Sequence, residues 1–361
     1  MPEEVKRISP MPPCGGGAAI AACGHARVGM TAAGAHVAPA GEYRDAVDVI
    51  YLAACARDAR LTRICVASIR YFYPDVPIRI LAGDILQPGL AEELNRYWDV
   101  GVADLPTGDY GWGLVKLEPL FGPAGQRFMV CDVDTVFTGR VLDRRAESRA
   151  PFYVDNEALS DADFKRLYYD WEALAEIDAD VQSARKAFNA GEWFGTAGLV
   201  ARDDFDDWVE WTLPRRLYYQ EHFMGGDQGV MNFVVLKKEA FDGLRIDRVE
   251  LMRWPGHGLE DLEVERVKTG TAPALVIHWA GMKSIFLHDM VGGDLLQFFE
   301  DYYYTRLPAG RLRRRLALCR HIWIHWSYRA SVPIRLRWRR IRDRIAPKKA
   351  TPVLVKQSIG S

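Results

Sequence analysis

The chain contains four D-x-D triplets, and one is set apart by what precedes it. Asp161/Asp163, Asp178/Asp180 and Asp204/Asp206 lie in or beside polar stretches of helical spacing and read as solvated faces. Asp132 and Asp134 instead follow directly on the apolar run Phe128-Met129-Val130-Cys131. Two carboxylates leaving a strand end make a hard-oxygen site for a divalent cation. Ligands of open α/β sheets bind beyond the carboxyl ends of the strands. The competing reading is a pair of turn aspartates. His278 closes a second run, Ala274-Leu275-Val276-Ile277, so it too falls at a strand terminus. It opens His278-Trp279-Ala280-Gly281-Met282-Lys283, which adds a glycine permitting close backbone approach and a lysine able to meet phosphate. A lone histidine in such a place is otherwise structural.

Other residues stand at comparable positions. Asp227-Gln228 follows Gly225-Gly226 and opens an apolar helical pattern at Val230, Met231, Phe233 and Val234. A helix N-terminus there points N–H groups at a ligand, with Asp227 facing that ligand or serving as a cap. Asp155 ends the run Phe152-Tyr153-Val154, and Lys116 lies upstream of the Asp132 strand, where it reads equally as a surface helix lysine. Asn189-Ala190-Gly191 and Gly195-Thr196-Ala197-Gly198 are two glycine-bearing segments in close succession, and both also read as ordinary turns.

These residues need a sheet to hold them. Strand-length apolar runs occur at Val47–Cys55, Pro77–Leu81, Val100–Ala103, Phe128–Cys131 and Pro151–Val154, with later candidates at Leu199–Val200, Leu244–Ile246 and Ala274–Ile277. Helical spacing marks Leu61–Tyr71, Leu90–Trp98, Leu114–Phe121, most of Asp161–Ala187, a helix from near Asp203, and Phe286–Tyr304. Strands alternating with helices imply βαβ units and a mainly parallel sheet, an α/β fold.

The order of these elements between Val47 and Lys283 resembles that of GT-A glycosyltransferases, most closely glycosyltransferase family 8 and its bacterial relatives. The shared pattern is an opening strand, a strand ending in D-x-D, an Asn-x-Gly segment, an Asp-Gln pair and a late His-x-x-Gly…Lys. The family typically places Lys three residues after Gly, whereas Lys283 follows Gly281 by two. The resemblance implies a Rossmann-like GT-A sheet and a nucleotide-sugar donor, with UDP expected. It assigns Asp132, Asp134 and His278 to Mn²⁺ gripping the donor diphosphate. Two carboxylates and an imidazole suit Mn²⁺, while Mg²⁺, the alternative, prefers an all-oxygen shell. It further sets Asp227 and Gln228 beside the donor sugar, Asp155 at a sugar hydroxyl, Lys116 near the donor, and Lys283, after Gly281, near the phosphates. Asn189 and Gly191 match its Asn-x-Gly segment in letters. In the family, however, strand and helix follow that segment directly, which leaves Thr196 as the other occupant of the Asn position. The nucleotide base is expected over the carboxyl ends of the first two strands, at Ala53, Cys55, Gly83 and Asp84. Activated-sugar nucleotidyltransferases typically carry G-x-G-T-R after the first strand; Ala53-Ala54-Cys55-Ala56-Arg57 stands there instead. Retention of anomeric configuration follows only from the resemblance, and no residue can be named as a covalent nucleophile.

The 361 residues divide into three expected parts. Residues 1–42 are rich in Ala and Gly, with ten and seven of the 28 positions from Cys14 to Gly41, and read as disordered. Residues 43–305 form the catalytic domain. Residues 306–361 hold 16 basic residues against Asp343 alone, for a net charge of +15, while the rest of the chain carries −16. An acidic body is a poor nucleic-acid reader. Within the basic extension Ile334, Trp338, Ile341 and Ile345 form one apolar stripe, and Leu312, Leu316, Trp323 and Trp326 repeat the theme. Such a surface suits an anionic membrane, with packing on the body as the alternative. Six scattered cysteines without a C-x-x-C pair fit a reducing compartment, and no apolar run reaches membrane-spanning length. The expectation is a cytoplasmic, peripheral membrane enzyme acting on a polysaccharide or lipid-linked glycan. A non-catalytic nucleotide-sugar binder and a scaffold acting through its basic tail are the competing classes.

Overall fold

The computed structural model describes residues 42–327 except 84, 107–109, 112, 158, 181–185, 257–258, 260–261, 282–283, 285 and 325. The segment expected to be disordered, the stripe from Ile334 to Ile345, and the candidate residues Asp84 and Lys283 lie outside the described residues.

In chain order the strands are β1 (Val49–Ala54), β2 (Ile78–Ala82), β3 (Val100–Val102), β4 (Arg127–Asp132), β5 (Thr135–Phe137), β6 (Phe152–Asp155), β7 (Glu192–Thr196), β8 (Val209–Glu210), β9 (Arg216–Leu217), β10 (Ile246–Val249), β11 (Met252–Arg253) and β12 (Val276–His278). The α-helices are α1 (Ala59–Phe72), α2 (Leu90–Trp98), α3 (Val141–Ala146), α4 (Asp161–Leu167), α5 (Trp171–Ala175), α6 (Asp227–Phe241), α7 (Val264–Thr269) and α8 (Gly293–Thr305). A 3₁₀ helix spans Leu114–Phe121.

Seven strands form the central sheet in the order β10-β6-β7-β4-β1-β2-β3. All neighbours run parallel except β7, which is antiparallel to both β4 and β6. The fold is therefore α/β with a mostly parallel sheet. Period-two alternation explains its two cores. Ile50, Leu52, Met129 and Cys131 face one side with residues of α1, α2 and α8. Val49, Phe128 and Val130 face the other, against the Leu114–Phe121 helix and α6. Burying each such side chain contributes about 1.5–3 kcal/mol before chain entropy is subtracted.

The structure revises four expected elements, among them the helix from near Asp203, which is only a 3₁₀ turn over Asp203–Phe205. Leu199–Val200 is bent chain, and the strand lies earlier, at β7. Among the described residues Asp161–Ala187 yields only the short helices α4 and α5, because Ser160 and Asp170 each cap a new start: Ser160 accepts from Asp163 N–H, and Asp170 from the N–H groups of Glu172 and Ala173. The helix expected from Phe286 begins at Gly293, after a separate 3₁₀ turn at Leu287–Asp289.

Past α8 the chain forms another helix over 310–324. Arg314 donates to Glu300 of α8 at 3.0 and 3.1 Å and also pairs with Asp301, and Arg313 lies 4.0 Å from Glu93. Leu312, Leu316, Cys319, Trp323 and Trp326 point outward, the two tryptophans 74% and 63% exposed. This helix thus meets the body with Arg313, Arg314 and the partly buried Ala317, and turns an apolar stripe to solvent.

Candidate active site

The site forms where two sheets exchange a strand end. β4 runs to Asp132, the chain turns through Val133-Asp134, and β5 leaves the central sheet to pair antiparallel with β12. In that pairing His278 lies opposite Thr135, so it falls beside the D-x-D turn. Thr135 Oγ1 donates to the Asp132 carbonyl at 2.7 Å, and Trp279 N–H donates to the Asp134 carbonyl at 2.9 Å, fixing the turn from both flanks.

His278 Nε2 lies 3.3 Å from Asp134 Oδ1 and 4.0 Å from Asp132 Oδ2. One ligand atom from each of the three residues falls within 4.8 Å of the others. Donors bound to one divalent cation at about 2.1–2.4 Å stand at most about 4.2–4.8 Å apart, so this group is close enough to share a single ion. Burial pulls the His278 pKa down, but the Glu192 and Asp134 carboxylates outweigh it and push it up to about 10. Burial likewise raises Asp132, against the pull of the Lys116 ammonium.

Lys116 is a buried member of the site. The Leu114–Phe121 helix sinks Val115 and Leu117 into the core and brings Lys116 Nζ to 3.1 Å from Asp132 and 2.7 Å from Asp227. Burial works against its charge, yet Asp132 and Asp227 together hold its pKa well above the ordinary lysine value. Asp227 is the first residue of α6, at the expected helix start. It packs against Gly113, where φ is +79° and an added Cβ would stand 2.6 Å from the Asp227 carboxylate.

The Asn189 segment is the part that leads directly into a strand, β7, whereas Thr196 ends that strand. Being antiparallel to β4, β7 starts beside the end of β4, and Asp132 N–H donates to the Gly191 carbonyl at 2.6 Å. The side chains of this segment are committed to its shape. Asn189 Oδ1 accepts from Gly191 N–H at 2.6 Å. Gln228 accepts from Ala190 N–H at 3.3 Å and donates to the Leu167 carbonyl at 3.1 Å. Asp155, at the end of β6, accepts from Leu251 and Met252 N–H at 2.7 and 2.9 Å; it thereby anchors the start of β11, the neighbour of β12. Burial raises its pKa despite those two donors.

Ala53 is aligned with Asp132 in the β1–β4 register, so the carboxyl ends of β1 and β4 form one edge. Cys55 donates to Asp58 at 3.0 Å. Gly83 is hemmed by Val115, 3.0 Å from where its Cβ would stand, so packing of the chain already requires glycine there. Gly281 lies in the turn after β12, with φ +71°.

Four contributors escaped the sequence reading. Glu192, fully buried, puts Oε2 3.1 Å from His278 Nδ1, and burial pushes its pKa up to about 7 against the opposing His278 charge. Trp254 stacks on the His278 ring with centroids 5.1 Å apart. Asn232 clamps Phe188 through both its N–H and its carbonyl, each at 2.9 Å, and Gly113 makes room for Asp227. Only Glu192 left a sequence signal, a charge among the aromatic residues of a short strand.

No protein-family model and no curated protein matches the chain. Solved structures do. WbbM, a bifunctional glycosyltransferase in its apo form, is 14% identical with a TM-score of 0.47, over 74% of this chain and 50% of that one. The galactosyltransferase LgtC, in complex with donor and acceptor sugar analogues, is 11% identical with a TM-score of 0.43, over 71% of this chain and 95% of that one. GlyE of Streptococcus pneumoniae TIGR4, a glycosyltransferase, is 13% identical with a TM-score of 0.42, over 71% and 60%. The chain thus spans about half the length of WbbM.

Proposed function

We propose that this chain is a metal-dependent glycosyltransferase that takes a nucleotide-sugar, UDP-linked, as donor. The observation that carries this reading is the convergence of Asp132, Asp134 and His278 at the carboxyl ends of β4 and β12, with Lys116 and Asp227 alongside. These three residues would hold Mn²⁺, in keeping with their mixed carboxylate and imidazole donors. Held there by Asp132, Asp134 and His278, such a cation would supply positive charge against the donor diphosphate. Lys116 adds a second positive charge beside the same position. Asn189, Gln228 and Asp155 hold the surrounding backbone, and Asp227 faces the site from the start of α6. The base lies over the β1 and β2 ends, around Ala53, Cys55 and Gly83.

The acceptor is a polysaccharide or lipid-linked glycan at the inner membrane face. Support for a membrane location is the outward stripe of Leu312, Leu316, Trp323 and Trp326, flanked by the exposed arginines Arg311, Arg315 and Arg320. No helix among the described residues is long and apolar enough to cross a membrane. A hydrolysis screen over several nucleotide-sugars with Mn²⁺ tests the catalytic reading. The expected result is slow hydrolysis of one UDP-sugar, abolished by chelator and by Asp134→Asn but unaffected by Asp206→Asn on an exposed turn. UDP binding with no turnover on any donor or glycan would leave a binding protein instead.

A further inference from the structure

β7 carries a charge where its pattern calls for a hydrophobe. Trp193 faces one core and Phe194 the other, so alternation directs Glu192 to the same side as Phe194, where Met129 and Cys131 are buried. Glu192 pairs with Cys131 across the β4–β7 ladder and is 0% exposed. Among the described residues no other hydrogen-bond partner is open to either carboxylate oxygen or to His278 Nδ1, and these two groups face each other at 3.1 Å. A buried carboxylate is tolerated where it meets a group that needs it.

Building on the metal-site reading above, we propose that Glu192 is a positioning residue for His278, its carboxylate accepting the Nδ1 proton and so aiming the Nε2 lone pair at the cation shared with Asp132 and Asp134. The ring nitrogen that binds a metal is chosen by the hydrogen bond the other one makes. Here every side of the ring is constrained. Trp254 covers a face, Gly191 lies against the Cε1–Nδ1 edge, and Nε2 points to Asp134. Glu192 supplies the remaining polar contact. Lys116 does not compensate its charge, being engaged with Asp132 and Asp227.

The test is calorimetric titration of the full chain with Mn²⁺ alone, no donor present, for the unsubstituted protein, Glu192→Leu, Glu192→Gln, His278→Ala and the combinations. Glu192→Leu is expected to weaken binding about 10- to 100-fold. Glu192→Gln, which keeps an acceptor without charge, should lose less, and neither change should weaken binding further beside His278→Ala. A purely structural residue would lower the melting temperature of metal-free protein and leave Mn²⁺ affinity alone. Unchanged affinity in Glu192→Leu overturns the proposal, as does an equal loss in the His278→Ala background. If Glu192→Leu fails to fold, Glu192→Gln decides: affinity equal to that of the unsubstituted protein overturns it. If the unsubstituted chain binds no Mn²⁺, the metal site and the proposal fall together. If binding is lost in Asp134→Asn yet indifferent to Glu192, only the proposal falls.

Discussion

Gly191 and His278 touch so closely that no side chain fits between them: a Cβ on Gly191 would stand 2.3 Å from His278 Cε1 and 2.8 Å from Nδ1. Gly191→Ala must therefore turn the imidazole or push β7 away from β4. The expected cost is about 1–3 kcal/mol of stability from overpacking. Mn²⁺ affinity should also fall about tenfold or more as Nε2 leaves its aim. Titration with Mn²⁺ and a thermal melt separate the two effects. Full affinity in a destabilised Gly191→Ala would remove His278 from the ligand set.

Lys116 sits between half-buried Asp132 and buried Asp227 and is the charge that balances both. Lys116→Met leaves two carboxylates without that cation, and breaking such a buried pair costs about 3–5 kcal/mol. Mn²⁺ binding to the folded state alone should recover part of this by mass action. The expected result is a lower melting temperature without metal and a larger rise on adding Mn²⁺ than in the unsubstituted protein. An equal rise in both would show that Lys116 and the cation do not share Asp132.

Glu300 ties the helix over 310–324 to the body through Arg314 and also pairs with Arg60. Burial would raise its pKa, but Arg60 and then Arg314 hold it below the ordinary glutamate value. Since the folded value lies below the unfolded one of about 4.3, its stabilisation is complete above that pH. It is lost as pH falls through the folded value. Glu300→Gln should cost on the order of 2 kcal/mol at pH 7, less than a fully buried pair because Arg314 is 31% exposed. The gap to the unsubstituted protein should begin to narrow as pH falls below about 4.3. Denaturant melts at pH 7 and pH 3 check this; a gap as large at pH 3 as at pH 7 refutes the assignment.

Trp323 and Trp326 are directed away from the body. Replacing both with Ser should reduce binding to anionic vesicles at least about tenfold, given some 25 cal/mol per Å² of apolar area withdrawn from water. Arg311, Arg315 and Arg320 should add about 1 kcal/mol each near an anionic surface. Binding should therefore weaken when salt shortens the screening length below about 10 Å. Co-sedimentation at two salt concentrations measures both. Soluble donor hydrolysis should not change, and undiminished vesicle binding in the double variant would locate the membrane contact elsewhere.

The strands β1, β2, β4 and β12 and the helix Leu90–Trp98 were legible in the residues because each is written locally. Continuous apolar runs mark strands buried on both faces, and 3.6-residue spacing marks helices. For the same reason Asp132 and His278 stand out, each closing such a run with Asp134 in the turn just beyond, and the three converge in the fold. The neighbours of those ends were not written there. β7 was displaced to Leu199–Val200 in the reading because Glu192-Trp193-Phe194-Gly195-Thr196 mixes a charge and a glycine into five residues, and no periodicity survives that. Its antiparallel entry beside β4 set the Gly191 carbonyl against Asp132 N–H, and it also brought Glu192 to His278, 86 positions further along the chain. Lys116 became a site residue only because its helix packs under the β4 end. A local pattern records whether a segment buries one face or two. Which distant segment fills the adjacent space is fixed by the packing of the whole sheet, where contacts form between residues whose sequence separation carries no signal.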